Sequence, residues 1–150
     1  IKGWLIDFLV GNQALNIHMG ISPYYRGSSC NFWALYDYKP SYVGATIHML
    51  SKGLDSGDML FHCLPKLIDG DTPFDFTMRS VLAAHYGLCR SIKEGSVLSM
   101  ERVKQGKLNE VRYTRNSDFT DDIADEFLSR NYTIQSDRLN YPKLLKPIFY

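Results

Sequence analysis

Cysteine is scarce in this chain: Cys30, Cys63 and Cys89 are the only three among 150 residues, and no two form a Cys-x-x-Cys pair. Three scattered thiols make no disulfide framework and suit a reducing compartment, the cytoplasm. Cys63 with His48, His62 and His85 matches no zinc-ligand spacing, so no metal is expected. Excess charge of one sign is also lacking, since 17 Lys and Arg face 16 Asp and Glu for a formal net charge of +1. That balance excludes a dedicated, strongly basic binder of nucleic acid or of acidic membranes. Long hydrophobic runs are missing too. The apolar stretch Trp4–Val10 is interrupted by Asp7 and falls far short of the roughly 20 residues that cross a bilayer. No cleavage-site pattern follows it, which excludes a signal peptide. The first residue is Ile1 rather than Met, and the chain reads as a fragment of a longer protein. What is present is ordinary globular composition, 45% hydrophobic and 22% charged, at a length suited to one core.

Turn signals divide the chain into short elements. Residues 1–10 read as a helix end or strand leading to a turn at Gly11-Asn12. Ala14–Met19, Ala45–Leu50 and Met59–Leu67 read as strands bounded by Gly- and Pro-containing loops. Ser28 or Ser29 is positioned to cap a helix running to about Tyr38, with Phe32, Trp33 and Tyr36 on its apolar face. Asp71-Thr72-Pro73 is a helix start, and Met78, Val81, Leu82, His85, Leu88, Cys89 and Ile92 form a stripe that Gly95 would end. Val111–Arg115 reads as a further strand. Thr120 would cap a last helix with Ile123, Ala124, Phe127 and Leu128 on one face. Tyr141–Tyr150 reads as an irregular tail, its Lys143 and Lys146 solvated. Strands alternating with helices predict an α/β sheet with flanking helices.

Two segments carry chemistry. In Asn16-Ile17-His18, residues two apart on a strand share a face, so Asn16 and His18 project together while Ile17 turns away. The Gly/Pro loop that follows puts the pair near a strand's carboxyl end, where open α/β sheets bind ligands. By itself the pair says little, because such groups are commonly satisfied structural side chains. Gly53-Leu54-Asp55-Ser56-Gly57 is a turn holding a carboxylate. It serves equally as a plain β-turn or as an acid set to tune a histidine. Tyr24, Tyr25 and Arg26 offer loop anchors or contacts to an acceptor's phosphate or base.

The order of these segments is more telling than any one of them. Asn16-x-His18, Ser22-Pro23-x-Tyr25-Arg26-Gly27, Trp33-Ala34, Gly44-Ala45-Thr46-Ile47-His48 and Gly53-Leu54-Asp55-Ser56-Gly57 follow one another as in the 10-formyltetrahydrofolate-dependent formyltransferase family. That family includes methionyl-tRNA, glycinamide ribonucleotide and nucleotide-amino-sugar formyltransferases and a related hydrolase. The resemblance is dense from Ala14 to about Leu60 and looser to about Arg115.

The resemblance implies that this is the C-terminal part of a Rossmann-like formyltransferase sheet, with residues 1–115 in the catalytic domain and 116–150 a C-terminal helix and tail. Residues 1–13 are too few for the family's leading βαβ unit of some 30 residues. It further implies a formyl group moving from 10-formyltetrahydrofolate, as cosubstrate, to an amine. Asn16 and a protonated His18 would donate to the formyl oxygen, and Asp55 would favour the imidazolium and help move the amine's proton. His48 would support them, and Ser51, Gly53 and Leu54 would bind the pteridine. A tRNA enzyme is expected to carry a basic RNA-binding domain, and residues 116–150 are not strongly basic. A small-molecule amine on a nucleotide-linked sugar is therefore the expected acceptor. Methionyl-tRNA, water as in the hydrolase, and a non-catalytic domain of the same fold are the alternatives.

Overall fold

The computed structural model describes residues 2–53, 55–135 and 139–150. In chain order the elements are α1 (Trp4–Gly11), β1 (Leu15–His18), β2 (Tyr25–Gly27), α2 (Cys30–Tyr36), β3 (Ala45–Met49), β4 (Met59–Leu64), α3 (Pro73–Lys93), β5 (Arg112–Thr114), α4 (Asp121–Ser129) and β6 (Ile148–Phe149). Four strands make one sheet in the order β1-β3-β4-β6, and β2 pairs with β5 in a second, two-stranded sheet. The pairs β1/β3 and β3/β4 are antiparallel, whereas β4/β6 and β2/β5 are parallel. Among the described residues no helix is long and apolar enough to cross a membrane.

β4 is apolar apart from His62 because it lies inside the sheet, and all six of its residues are buried. It ends at Leu64, earlier than the expected Leu67, since Pro65 has no N–H to donate to a ladder. The α3 start is as expected. Thr72 accepts from the Asp75 backbone N–H, Asp75 accepts from that of Thr72, and Pro73 holds the first helical position.

The inward face of α3 corrects the sequence reading. Phe76, Ser80, Ala83, Ala84, Gly87 and Ser91 are buried, while Met78, Leu82 and Ile92 are about half exposed and Cys89 and His85 are exposed. The helix approaches β4 so closely that a Cβ on Gly87 would lie 2.5 Å from Cys63 Sγ. Only small side chains fit that contact, and Met78, Leu82 and Ile92 lie toward the outer face. Ala83 and Ala84 meet Ala45, Ile47, Leu60, Phe61 and Cys63 there.

Three further expectations change. Neither Ser28 nor Ser29 caps α2 with its side chain. Ser29 takes a left-handed conformation, and the Ser28 backbone instead exchanges hydrogen bonds with Thr114. Leu128 faces outward from α4 and only Phe127 of that helix is buried. The segment Tyr141–Tyr150 is no irregular tail. It supplies β6, its Leu145 backbone pairs with both the backbone and the ring of His62, and its Lys143 carbonyl accepts from the Tyr24 hydroxyl.

Candidate active site

The antiparallel register of β1 and β3 sets Asn16 opposite His48 and His18 opposite Thr46, so all four side chains share one face. The β3/β4 register shifts between Ile47 and His48, a local irregularity of the kind that re-aims a side chain. Asp55 reaches this face from the turn joining β3 to β4. Its backbone φ is +44°, and Gly57 follows with its Cα so close to β3 that a Cβ would lie 1.7 Å from the Met49 carbonyl oxygen. The turn holds its shape only with glycine at that position, which accounts for the second Gly of the Gly-Leu-Asp-Ser-Gly segment.

These side chains form one hydrogen-bonded network. Asn16 Nδ2 donates to Asp55 Oδ1 at 2.8 Å and lies 3.0 Å from His48 Nε2. His48 Nδ1 is 2.9 Å from the Met49 carbonyl, which can only accept, so that nitrogen carries the hydrogen and Nε2 is free to accept from Asn16. A flipped Asn16 amide would set its oxygen against the Asp55 carboxylate, so this orientation is the one the network permits. Both amide hydrogens of Asn16 are thereby engaged, and among the described residues its Oδ1 takes no hydrogen bond. His18 Nδ1 stands 3.4 Å from Asp55 Oδ2, and its Nε2 is 3.3 Å from the Tyr25 carbonyl and 3.6 Å from Cys30 Sγ.

Chiefly the hydrogen bond from His18 holds the Asp55 carboxyl far below the usual carboxylate range, against the opposing effect of burial. Burial, and next the Asp55 charge, push the Cys30 thiol up to about 12, so it stays protonated beside His18. Asn16, His18, His48 and Asp55 therefore converge. The Ser51 hydroxyl is turned into its own loop, donating to the Gly53 carbonyl at 3.1 Å with Ser56 Oγ at 2.9 Å, and Leu54 lies outside the described residues. Tyr24, Tyr25 and Arg26 are loop anchors. Tyr25 is buried with its hydroxyl donating to Asp37, and Arg26 pairs with Glu110. His62 is engaged at both ring nitrogens by Ser22 and Leu145, and no group of three His, Cys, Asp or Glu among the described residues is arranged to hold a metal. Sequence reading missed Cys30 and Gln105, the latter donating to the carbonyls of Asp55 and Gly57 at 2.9 and 2.8 Å from fifty residues away. No spacing rule points to either.

The family model for formyl transferases matches residues 6–92, which takes in every residue of this network. The chain belongs to the formyl transferase family. A methionyl-tRNA formyltransferase of Desulforamulus reducens is 34% identical over 58 residues, covering 39% of this chain and 18% of that protein. A sugar N-formyltransferase from a Shewanella species is 26% identical over 74% of this chain and 44% of its own, with a TM-score of 0.58. The formyltransferase PseJ from Anoxybacillus kamchatkensis, solved with a UDP-linked formamido sugar and tetrahydrofolate, matches 95% of this chain and 68% of its own at 20% identity and a TM-score of 0.61. The chain thus spans less than half of the first two of these formyltransferases. The expected α/β sheet with flanking helices is the one these formyltransferase structures carry.

Proposed function

We propose that this chain carries the reacting-group portion of an N-formyltransferase that moves a formyl group from 10-formyltetrahydrofolate to the amine of a nucleotide-linked amino sugar. In this reading residues 1–115 are the catalytic portion, and 116–150 add the helix α4 and the strand β6 that joins the same sheet. The observation that carries it is the Asn16–His48–Asp55–His18 network inside a formyl transferase chain. The new bond forms between the amine nitrogen and the formyl carbon, and the bond from that carbon to the folate nitrogen breaks. One amine proton must leave and the folate nitrogen must gain one.

The roles follow from which groups are free. Asn16 spends both amide hydrogens on Asp55 and His48, so it meets substrate as an acceptor, its Oδ1 taking an N–H of the incoming amine. This replaces the oxyanion-donor role expected from sequence. His18 is held by three long contacts, which leaves it able to turn a donor to the formyl oxygen as negative charge develops there. Asp55, ionised across the working range, hydrogen-bonds His18 Nδ1 and helps pass the amine's proton, directly or through water, to the folate nitrogen that must gain one. Ser51, Gly53 and Leu54 would offer the pteridine backbone groups.

The acceptor assignment is supported by neighbours named as sugar formyltransferases and by an N-formyltransferase solved with folinic acid and dTDP-3-aminofucose. Methionyl-tRNA is the second reading, on the Desulforamulus relative. The test is release of tetrahydrofolate from 10-formyltetrahydrofolate by the protein bearing this chain, with dTDP- or UDP-linked amino sugars or with methionyl-tRNA. Turnover with the sugars is expected, and His18→Ala should slow it by about 10²–10³-fold. Turnover with methionyl-tRNA alone would transfer the reading to the second acceptor, and an unchanged rate in His18→Ala would remove that histidine from the reaction.

A further inference from the structure

Gln105 lies outside the motif segments that carry the family resemblance, yet it touches the turn that bears Asp55. Its Nε2 donates to the carbonyl oxygens of Asp55 and Gly57 at 2.9 and 2.8 Å. A flipped amide would press Oε1 against two carbonyl oxygens, so the donor orientation is the one the site permits. Among the described residues Oε1 is buried without a partner, a cost that the two donated bonds must offset. The residue is fixed from its own side as well. Val103, two residues earlier, exchanges both backbone hydrogen bonds with Met59 at the start of β4, at 2.8 and 2.9 Å. Asp55 sits at a left-handed φ of +44°, a conformation that other contacts must hold in place.

We infer that Gln105 is a positioning residue: it clamps the turn so that the Asp55 carboxylate stays seated against Asn16 and His18. The inference rests on the formyl-transfer reading for its kinetic consequence, though not for its structural one. Gln105→Met keeps the length and removes both donors. In the protein bearing this chain, kcat for transfer from 10-formyltetrahydrofolate to a dTDP- or UDP-linked amino sugar should fall about tenfold. KM for both substrates should stay within about twofold, since both Nε2 hydrogens of Gln105 are spent on backbone carbonyls. The Asp55 carboxyl, followed by carbon-13 NMR, should titrate higher than in the unaltered protein, because the seat that holds it down is loosened. A titration that does not move overturns the inference whatever the rate does, and a lowered melting temperature alone marks a merely structural residue. If the unaltered protein transfers no formyl group, the functional reading fails by itself and the NMR titration still decides Gln105. Should Gln105→Met not fold, Gln105→Asn, whose amide falls one methylene short of the two carbonyls, takes its place with the same expected shift and the same overturning result.

Discussion

Asn16 illustrates how a side chain's job is decided by what its neighbours already demand of it. An amide offers two donors and one acceptor, and here Asp55 and His48 take both donors. Its place beside His18 on one strand face was legible in the Asn16-x-His18 spacing. Its polarity toward substrate was not, because that depends on a carboxylate brought in from 39 residues away. Gly57 belongs to the same scale. Gly57→Ala must push the turn off the Met49 carbonyl, which costs about 1–3 kcal/mol as an overpacked contact. The accompanying shift of Asp55 by a fraction of its reach should cost on the order of 10²-fold in transfer rate. Urea unfolding and the tetrahydrofolate-release assay on the same variant measure the two effects separately.

Elements show where reading by hydrophobic size fails. The α3 start was fully legible, since a capping box is local chemistry. Its buried face was not, because the periodic stripe of large residues was taken to be the core when the closest helix–sheet contact admits only Ser, Ala and Gly. Gly87→Leu should therefore destabilise the fold by about 1–3 kcal/mol, by forcing α3 off Cys63. Leu82→Ser, on the outer face, should change stability by no more than about 0.5 kcal/mol. Thermal unfolding of the two variants makes the comparison, and the reverse ranking would restore the large-residue face as the core. The strand β6 escaped sequence reading for a related reason. Two residues cannot form a strand on local preference, and Ile148–Phe149 does so only because β4 presents an edge to them.

At the scale of the whole molecule, His62 ties together three distant parts of the chain: β4, the Ser22 turn and the Leu145 segment. Burial lowers its imidazole to about 4, so it is neutral in the fold, donating from Nε2 to Ser22 and accepting at Nδ1 from Leu145. A histidine with a depressed folded pKa binds fewer protons folded than unfolded between its ordinary 6.5 and about 4. Stability from this group is thus fully present above about pH 6.5 and is lost as pH falls toward 4, by about 3 kcal/mol in all. Asp55 adds a loss of the same sign at still lower pH. Chemical denaturation between pH 7 and 4 should show the drop, and His62→Gln should flatten it across that window.

The sequence by itself determined the strands bearing Asn16, His18 and His48, the turn bearing Asp55, the capping of α3 and the family, because each rests on local periodicity or on motifs in linear order. The tertiary structure alone decided that four of those side chains share one network, that Asn16 keeps only an acceptor free, that small residues face the sheet, and that Gln105 and the Leu145 segment reach back to hold the site. Those outcomes depend on distances between segments far apart in the chain, and no local preference encodes such distances.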